Sequence, residues 1–340
     1  MSILWETAFI FVLAAAAVWW AGTRLPAYVV ALSEKTGVGQ GLAGMLVLGG
    51  ITSLPEFATG TTAAAIGVPL LSLNDILGSA SLNLLLLALA DMALGEKPLT
   101  SVVARPVTLI QGVLGMTLFA LVGAAIGIGG GDWGGPASAW SIAIFGAVVV
   151  ALFVSGRAER RPMWQVVNPP DLEVAEESRR KQITAGKLAL VLAGLASIIL
   201  VGGVTLANAG ETIAEETGLG TGIVGLLIIA VATSLPEASA IIGAMRHKRY
   251  ELAIGEIFGS NMFNLAIILA IDLVAPGQGV IEQAGGFEIA AAMLALVLTG
   301  VFVIGLIERR DRTVLRMGQD SITAILIYFS GVALLVSLAS

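Results

Sequence analysis

Thr52-Ser53-Leu54-Pro55-Glu56 occurs twice in this chain, the second time as Thr233-Ser234-Leu235-Pro236-Glu237. Each copy sets a carboxylate one residue after a proline, within a run of apolar residues. An ionisable group at that depth in a membrane is costly, and by default it marks a functional site. The proline has no N–H for the carbonyl four residues back, Ile51 in one copy and Ala232 in the other, and its ring disturbs the preceding turn. Carbonyl oxygens, a Ser/Thr pair and a Glu are thereby expected together, which is the set of oxygens that hard cations bind.

The surrounding composition is that of a membrane protein. Of 340 residues 57% are hydrophobic and 12% charged, and 42 are glycine. The mean hydropathy is +0.94, and apolar runs long enough to cross a bilayer recur along the whole length. The fold class expected is all-α and polytopic. With no cysteine, disulfides, thiolate metal sites and thiol nucleophiles are excluded. The one histidine, His247, lies in the basic cluster Arg246-His247-Lys248-Arg249 and reads as a loop residue. The start, Met1-Ser2-Ile3-Leu4-Trp5-Glu6, lacks a basic n-region and reads as a first span rather than a signal peptide.

Ten spans are expected, near 3–22, 41–66, 70–94, 104–128, 138–155, 185–207, 221–245, 251–274, 284–307 and 321–339. Glycine and proline punctuate the connections, as in Pro276-Gly277-Gln278-Gly279. The long polar segment 156–184 reads as a linker, with a short amphipathic helix expected around 171–182. In this scheme all 18 Lys and Arg fall on one side of the membrane. The opposite loops carry only acids: Glu6, Asp132, Glu211, Glu215, Glu216, Glu282 and Glu288. The positive-inside rule then makes the linker cytoplasmic and puts both termini outside, in a plasma (inner) membrane.

The repeat extends well beyond the motif. A shift of 181 residues (237 − 56) places Glu34-x-Thr36-Gly37-x-Gly39-x-Gly41 on Glu215-x-Thr217-Gly218-x-Gly220-x-Gly222. It also places Gly78-Ser79 on Gly259-Ser260, Asn83 on Asn264 and Asp91 on Asp272. Over residues 34–91 about 20 of 58 positions are identical without a gap, so the halves are repeats. The expected division is 1–155, linker 156–184 and 185–340, with five spans in each half. Five is odd, so the second half enters the membrane from the opposite side. Inverted repeats are the signature of a secondary transporter, with its site near the midplane.

On a helix, Thr52, Ser53 and Glu56 share a face, and so do Ser79 and Asn83 on the next span. The second copy supplies Thr233, Ser234, Glu237, Ser260 and Asn264. Facing each other, the two sets offer two carboxylates, two amide oxygens, hydroxyls and carbonyls. Calcium takes about 6–8 such oxygens, and two carboxylates match its charge. Without Cys or His ligands, nothing suits a soft metal. Small residues such as Gly78, Ser79, Gly259 and Ser260 also serve helix packing. Asp91 and Asp272 sit near span ends and read as interfacial caps. Asp75 and Glu256, three residues before Gly78 and Gly259, fall within the same helices and can be read either way.

These motifs, T-S-L-P-E followed by G-S-x-x-x-N and present twice, resemble those of the Ca²⁺/cation antiporter superfamily, and among its branches the prokaryotic sodium/calcium exchangers. The resemblance covers nearly the whole chain. It implies Ca²⁺ at Glu56, Glu237 and the carbonyls of Thr52 and Thr233. It implies Na⁺ at Ser53, Ser79, Asn83, Ser234, Ser260 and Asn264. Two usual amides are acids here, Asp75 and Glu256, and one usual Asn is Ala80. Added carboxylates can carry protons, so H⁺-coupled exchange of Ca²⁺ or another divalent cation stands as the alternative to Na⁺/Ca²⁺ exchange. Asn264 stands where potassium-dependent members have Asp. A cation channel would not need the repeat, and the apparatus of an intramembrane hydrolase is missing, so no enzyme activity is expected. The expected partners are inorganic cations and the lipid bilayer, without nucleic acid or cofactor. Oligomeric state is not legible.

Overall fold

A computed structural model describes residues 2–94, 97–103, 105–160, 183–216, 232–310, 312–314 and 316–339. Helix α1 runs over Ser2–Thr36. Next comes a bent pair, α2 over Gln40–Thr52 and α3 over Leu54–Ala65, which meet at 44°. The first half continues with α4 (Pro69–Leu94), the short α5 (Leu99–Val102), α6 (Pro106–Ile128) and α7 (Ala139–Arg160). The second half holds α8 (Ala185–Glu216), α9 (Leu235–Arg246), α10 (Tyr250–Val274), the short α11 (Val280–Gln283), α12 (Gly286–Glu308) and α13 (Gln319–Ala339). Among the described residues eight helices are long and apolar enough to cross a membrane, and the bent pair can be counted as a ninth. The chain is an integral membrane protein.

The break between α2 and α3 follows from sequence. Ser53 leaves the helical region (φ −80°, ψ 0°) and Pro55 sits in the first turn of α3, where its missing N–H costs nothing. Ser234 has nearly the same backbone (φ −86°, ψ 4°) at the start of α9. Within α2, residues Gly44–Leu48 form a π-helical turn that the sequence pattern did not indicate. The elements of the second half begin close to the 181-residue shift: Leu54 and Leu235, Pro69 and Tyr250, Leu99 and Val280, Pro106 and Gly286.

Packing partners exchange as a two-fold relation would have them. Helix α1 lies against α8, α4 against α10, and α6 against α12. The contacts of α1 with α9 are mirrored by α8 with α3, and those of α4 with α13 by α10 with α7. At the centre are α4 and α10: 67% of the most apolar stretch of each is buried, against 17% in α1 and α13. The outer helices turn side chains such as Trp5, Phe9, Phe153 and Phe329 outward, as a lipid-facing surface requires. Close approach of α2 to α10 depends on glycine. A Cβ on Gly255 would strike the Gly41 carbonyl, and one on Gly259 the Met45 backbone.

Several boundaries differ from expectation. Helix α1 continues past 22 to Thr36, with Arg24 inside it. The guanidinium turns back to the Trp20 carbonyl at 3.2 Å and lies 4.3 Å from the Trp20 ring centroid, so the charge does not end the helix. Likewise α8 continues past 207 to Glu216, and α7 past 155 to Arg160. There Glu159 meets Arg105 at 3.7 Å. The fold is all-helical as expected, apart from a two-residue antiparallel ribbon, Thr313–Val314 with Met317–Gly318, in the connection between α12 and α13. The amphipathic helix expected at 171–182 and the first part of the span at 221–245 lie outside the described residues.

Candidate functional site

The junction of α2 and α3 brings Thr52 and Ser53 to Glu256 and Ser260 on α10, with Glu56 in the first turn of α3, and the first turn of α9, which follows Thr233 and Ser234, brings Glu237 to Ser260. Ser79 and Asn83 on α4 face Asn264 and Asn261 on α10. All ten residues expected to bind ions are buried, and so is Glu256. Asp75 is partly buried. Glu237, Asp75 and Glu256 all lie within electrostatic reach of Glu56, so the four acids share one neighbourhood.

Hydrogen bonds knit the two halves through this centre. The one hydroxyl proton of Thr52 is shared between Glu256 Oε1 at 3.0 Å and the Gly49 carbonyl at 3.2 Å. Ser260 Oγ donates to Glu237 Oε1 at 3.1 Å, so in the 2.9 Å pair with Ser53 it is Ser53 that donates. Asn264 Nδ2 donates to Ser79 Oγ at 3.2 Å, and Ser79 Oγ donates to the Ile76 carbonyl at 3.1 Å.

Several oxygens of the cluster remain unpaired. Both carboxylate oxygens of Glu56, Oε2 of Glu237, Oε2 of Glu256, Oδ1 of Asn83, Oδ1 of Asn264 and Oγ of Ser234 are buried without a hydrogen-bond partner. Each is an oxygen able to accept, from residues in both halves. A lone ionised carboxylate moved into low dielectric costs on the order of 20 kcal/mol in the idealised limit. Such oxygens are retained where something positive meets them. Among the described residues no three acids or histidines are grouped tightly enough to hold a metal by themselves. A cation here would therefore draw on the neutral oxygens as well, which suits a hard ion taking carboxylate, amide and hydroxyl ligands together.

Two residues outside this cluster have clear partners. Asp91 accepts from the backbone N–H of Leu99 at 2.6 Å, the N–H of Gly318 at 2.7 Å and the hydroxyl of Ser321 at 2.7 Å. Asp272 accepts from the N–H of Val280 at 2.7 Å, the N–H of Ser138 at 3.0 Å and the hydroxyl of Ser141. Each Asp thus caps the short helix of its own half and ties down the last long helix of the other. Sequence reading placed them as caps but gave no sign of the partner in the opposite half. Nor did it single out Asn261, whose only signal was the mismatch with Ala80 under the repeat shift.

A buried, two-halved cluster of acceptor oxygens inside a bundle of apolar helices is the interior of a membrane transporter. The chain belongs to the sodium/calcium exchanger protein family, whose model matches residues 6–154 and 187–337. The two matches begin 181 residues apart (187 − 6), the shift that relates the motifs. Inner membrane protein YrbG of Escherichia coli is 28% identical over 254 residues, 73% of each chain. An uncharacterized membrane protein of Methanocaldococcus jannaschii is 26% identical over 221 residues, 65% of this chain and 66% of that one. The sodium/calcium exchanger MaX1 of Methanosarcina acetivorans is 33% identical over 61 residues, 18% of this chain and 17% of its own length. In fold, the chain is similar to the sodium-calcium exchanger NCX_Mj soaked with Na⁺ and Sr²⁺, with a TM-score of 0.71 at 17% identity, covering 98% of this chain and 99% of that one.

Proposed function

We propose that this protein is a secondary-active antiporter that exchanges Ca²⁺ for Na⁺ by alternating access. The observation that carries the reading is the set of buried, partnerless oxygens contributed by both halves. Glu56 and Glu237 hold Ca²⁺ between them, with the carbonyls of Thr52 and Thr233. Ser53, Ser79, Asn83, Ser234, Ser260 and Asn264 supply the neutral oxygens for Na⁺. One set of oxygens serves both ions, so their binding is mutually exclusive, and alternating access turns exclusion into exchange. Ten transmembrane helices in two inverted five-helix repeats, 1–155 and 185–340, accommodate this cycle. The exchanged packing partners about α4 and α10 support that arrangement. The linker 156–184 is cytoplasmic and both termini are outside.

Asp75 and Glu256 favour a second reading, in which H⁺ rather than Na⁺ drives the divalent ion, because they add carboxylates to the same neighbourhood. The neutral oxygens weigh against it, since a proton needs only one titratable group whereas bound Na⁺ needs several oxygens. A channel would use the acids but gains nothing from a two-halved interior. The site assignment is tested by ⁴⁵Ca²⁺ uptake into proteoliposomes under an outward Na⁺ gradient. Glu56→Gln and Glu237→Gln, each removing half of the charge that faces the divalent ion, abolish uptake while the protein stays folded. Full gradient-driven uptake by both variants would rule the assignment out.

A further inference from the structure

We infer that Asn261 is a positioning residue that decides which atom of Asn83 faces the ion site. The orientation is set at a backbone carbonyl. Ala80 O can only accept, so the Asn261 atom 3.2 Å from it is the donor Nδ2. The other end of that amide, Oδ1, then faces Asn83, and only Nδ2 of Asn83 can donate to it, at 3.1 Å. With its donor committed, Asn83 turns Oδ1 the opposite way, where that atom is buried without a partner. A chain of two amides thus transmits the orientation of one carbonyl to a candidate ligand.

The device is one-sided. Under the repeat shift the partner of Asn261 is Ala80, which has no polar side chain to offer Asn264. Asn264 is oriented by Ser79 instead: the Ser79 hydroxyl gives its proton to Ile76 O and accepts from Asn264 Nδ2. Ser260 does not take that part for Asn83: its hydroxyl accepts from Ser53, and Asn83 Nδ2 goes to Asn261. Two symmetry-related amides therefore present their oxygens by different means, and loss of Asn261 frees only one of them. An unrestrained Asn83 can turn its NH₂ group toward the cation.

This inference rests on the proposed Ca²⁺ site, and its test separates the two. Half-saturating Ca²⁺ is measured by ⁴⁵Ca²⁺ binding to the purified protein, in the wild type, Asn261→Ala, Asn83→Asp and the double variant. Wild-type protein that binds no Ca²⁺ refutes the site, not the positioning role. Asn261→Ala is expected to raise the half-saturating concentration about tenfold, the scale of one misplaced polar ligand. In the Asn83→Asp background the same change is expected not to raise it, since both outer atoms of Asp are oxygens and no flip can turn an N–H group toward the cation. Equal shifts in both backgrounds, or no shift in the wild-type background, would overturn the role. If Asn261→Ala does not assemble, Asn261→Ser, too short to hold the Asn83 amide, is read in the same way.

Discussion

Thr52 Oγ1 and Glu256 Oε1 meet at 3.0 Å, joining the broken helix of the first half to the central helix of the second. Glu256 is fully buried and its second oxygen has no partner. The bond occupies one oxygen of a third carboxylate beside Glu56 and Glu237. It also holds Thr52, whose backbone carbonyl is a proposed Ca²⁺ ligand.

If Glu256 serves mainly to hold Thr52, an amide can replace it, because a Gln oxygen still accepts from the hydroxyl. The difference between a charge-assisted and a neutral hydrogen bond is about 1 kcal/mol. Glu256→Gln should therefore keep Na⁺-driven Ca²⁺ uptake within about fivefold of the wild type, whereas Glu256→Ala, which drops the bond, should fall further. Abolished uptake in Glu256→Gln would instead make Glu256 part of the charge that balances the ion.

Asp91 and Asp272 hold the structure through bonds outside the central oxygen cluster. Each accepts from two backbone N–H groups and a serine hydroxyl, and each bridges the halves. Replacing either by Asn sets an NH₂ group among donors and loses at least one charge-assisted bond, worth roughly 2–3 kcal/mol. Asp91→Asn and Asp272→Asn should lower the unfolding temperature in detergent while half-saturating Ca²⁺ stays unchanged in the protein that remains folded. A shift in Ca²⁺ affinity without a loss of stability would place them in the ion path.

The absence of cysteine allows the orientation to be read directly. A cysteine replacing Ala175 should be protected from an impermeant maleimide applied to intact cells, and one replacing Ser2 should be labelled. Labelling at 175 from outside would reverse the topology.

The break at Ser53 and its repeat at Ser234 were legible because proline acts locally. The paired acids were legible because a carboxylate in an apolar run is costly unless a cation or a proton meets it. The long reach of α1 was not. Arg24 looked like a loop residue, and its fold-back onto Trp20 is a tertiary contact that no hydropathy pattern contains. The same holds for the partners of Asp91. Leu99 lies nearby in the chain, but Gly318 and Ser321 belong to the other half. Asn261 was visible as a mismatch with Ala80, yet its use depends on which way a neighbouring amide points. Pairing across the halves is where sequence spacing stops informing.

The central claim is that Na⁺ drives Ca²⁺ through this oxygen cluster. It is tested most directly by Ca²⁺ efflux from loaded proteoliposomes under an inward Na⁺ gradient, with pH clamped equal on both sides. The predicted result is strong stimulation of efflux by Na⁺ and none by an imposed pH gradient without Na⁺. Efflux that ignores Na⁺ and follows the pH gradient would contradict it and assign the counter-ion role to H⁺.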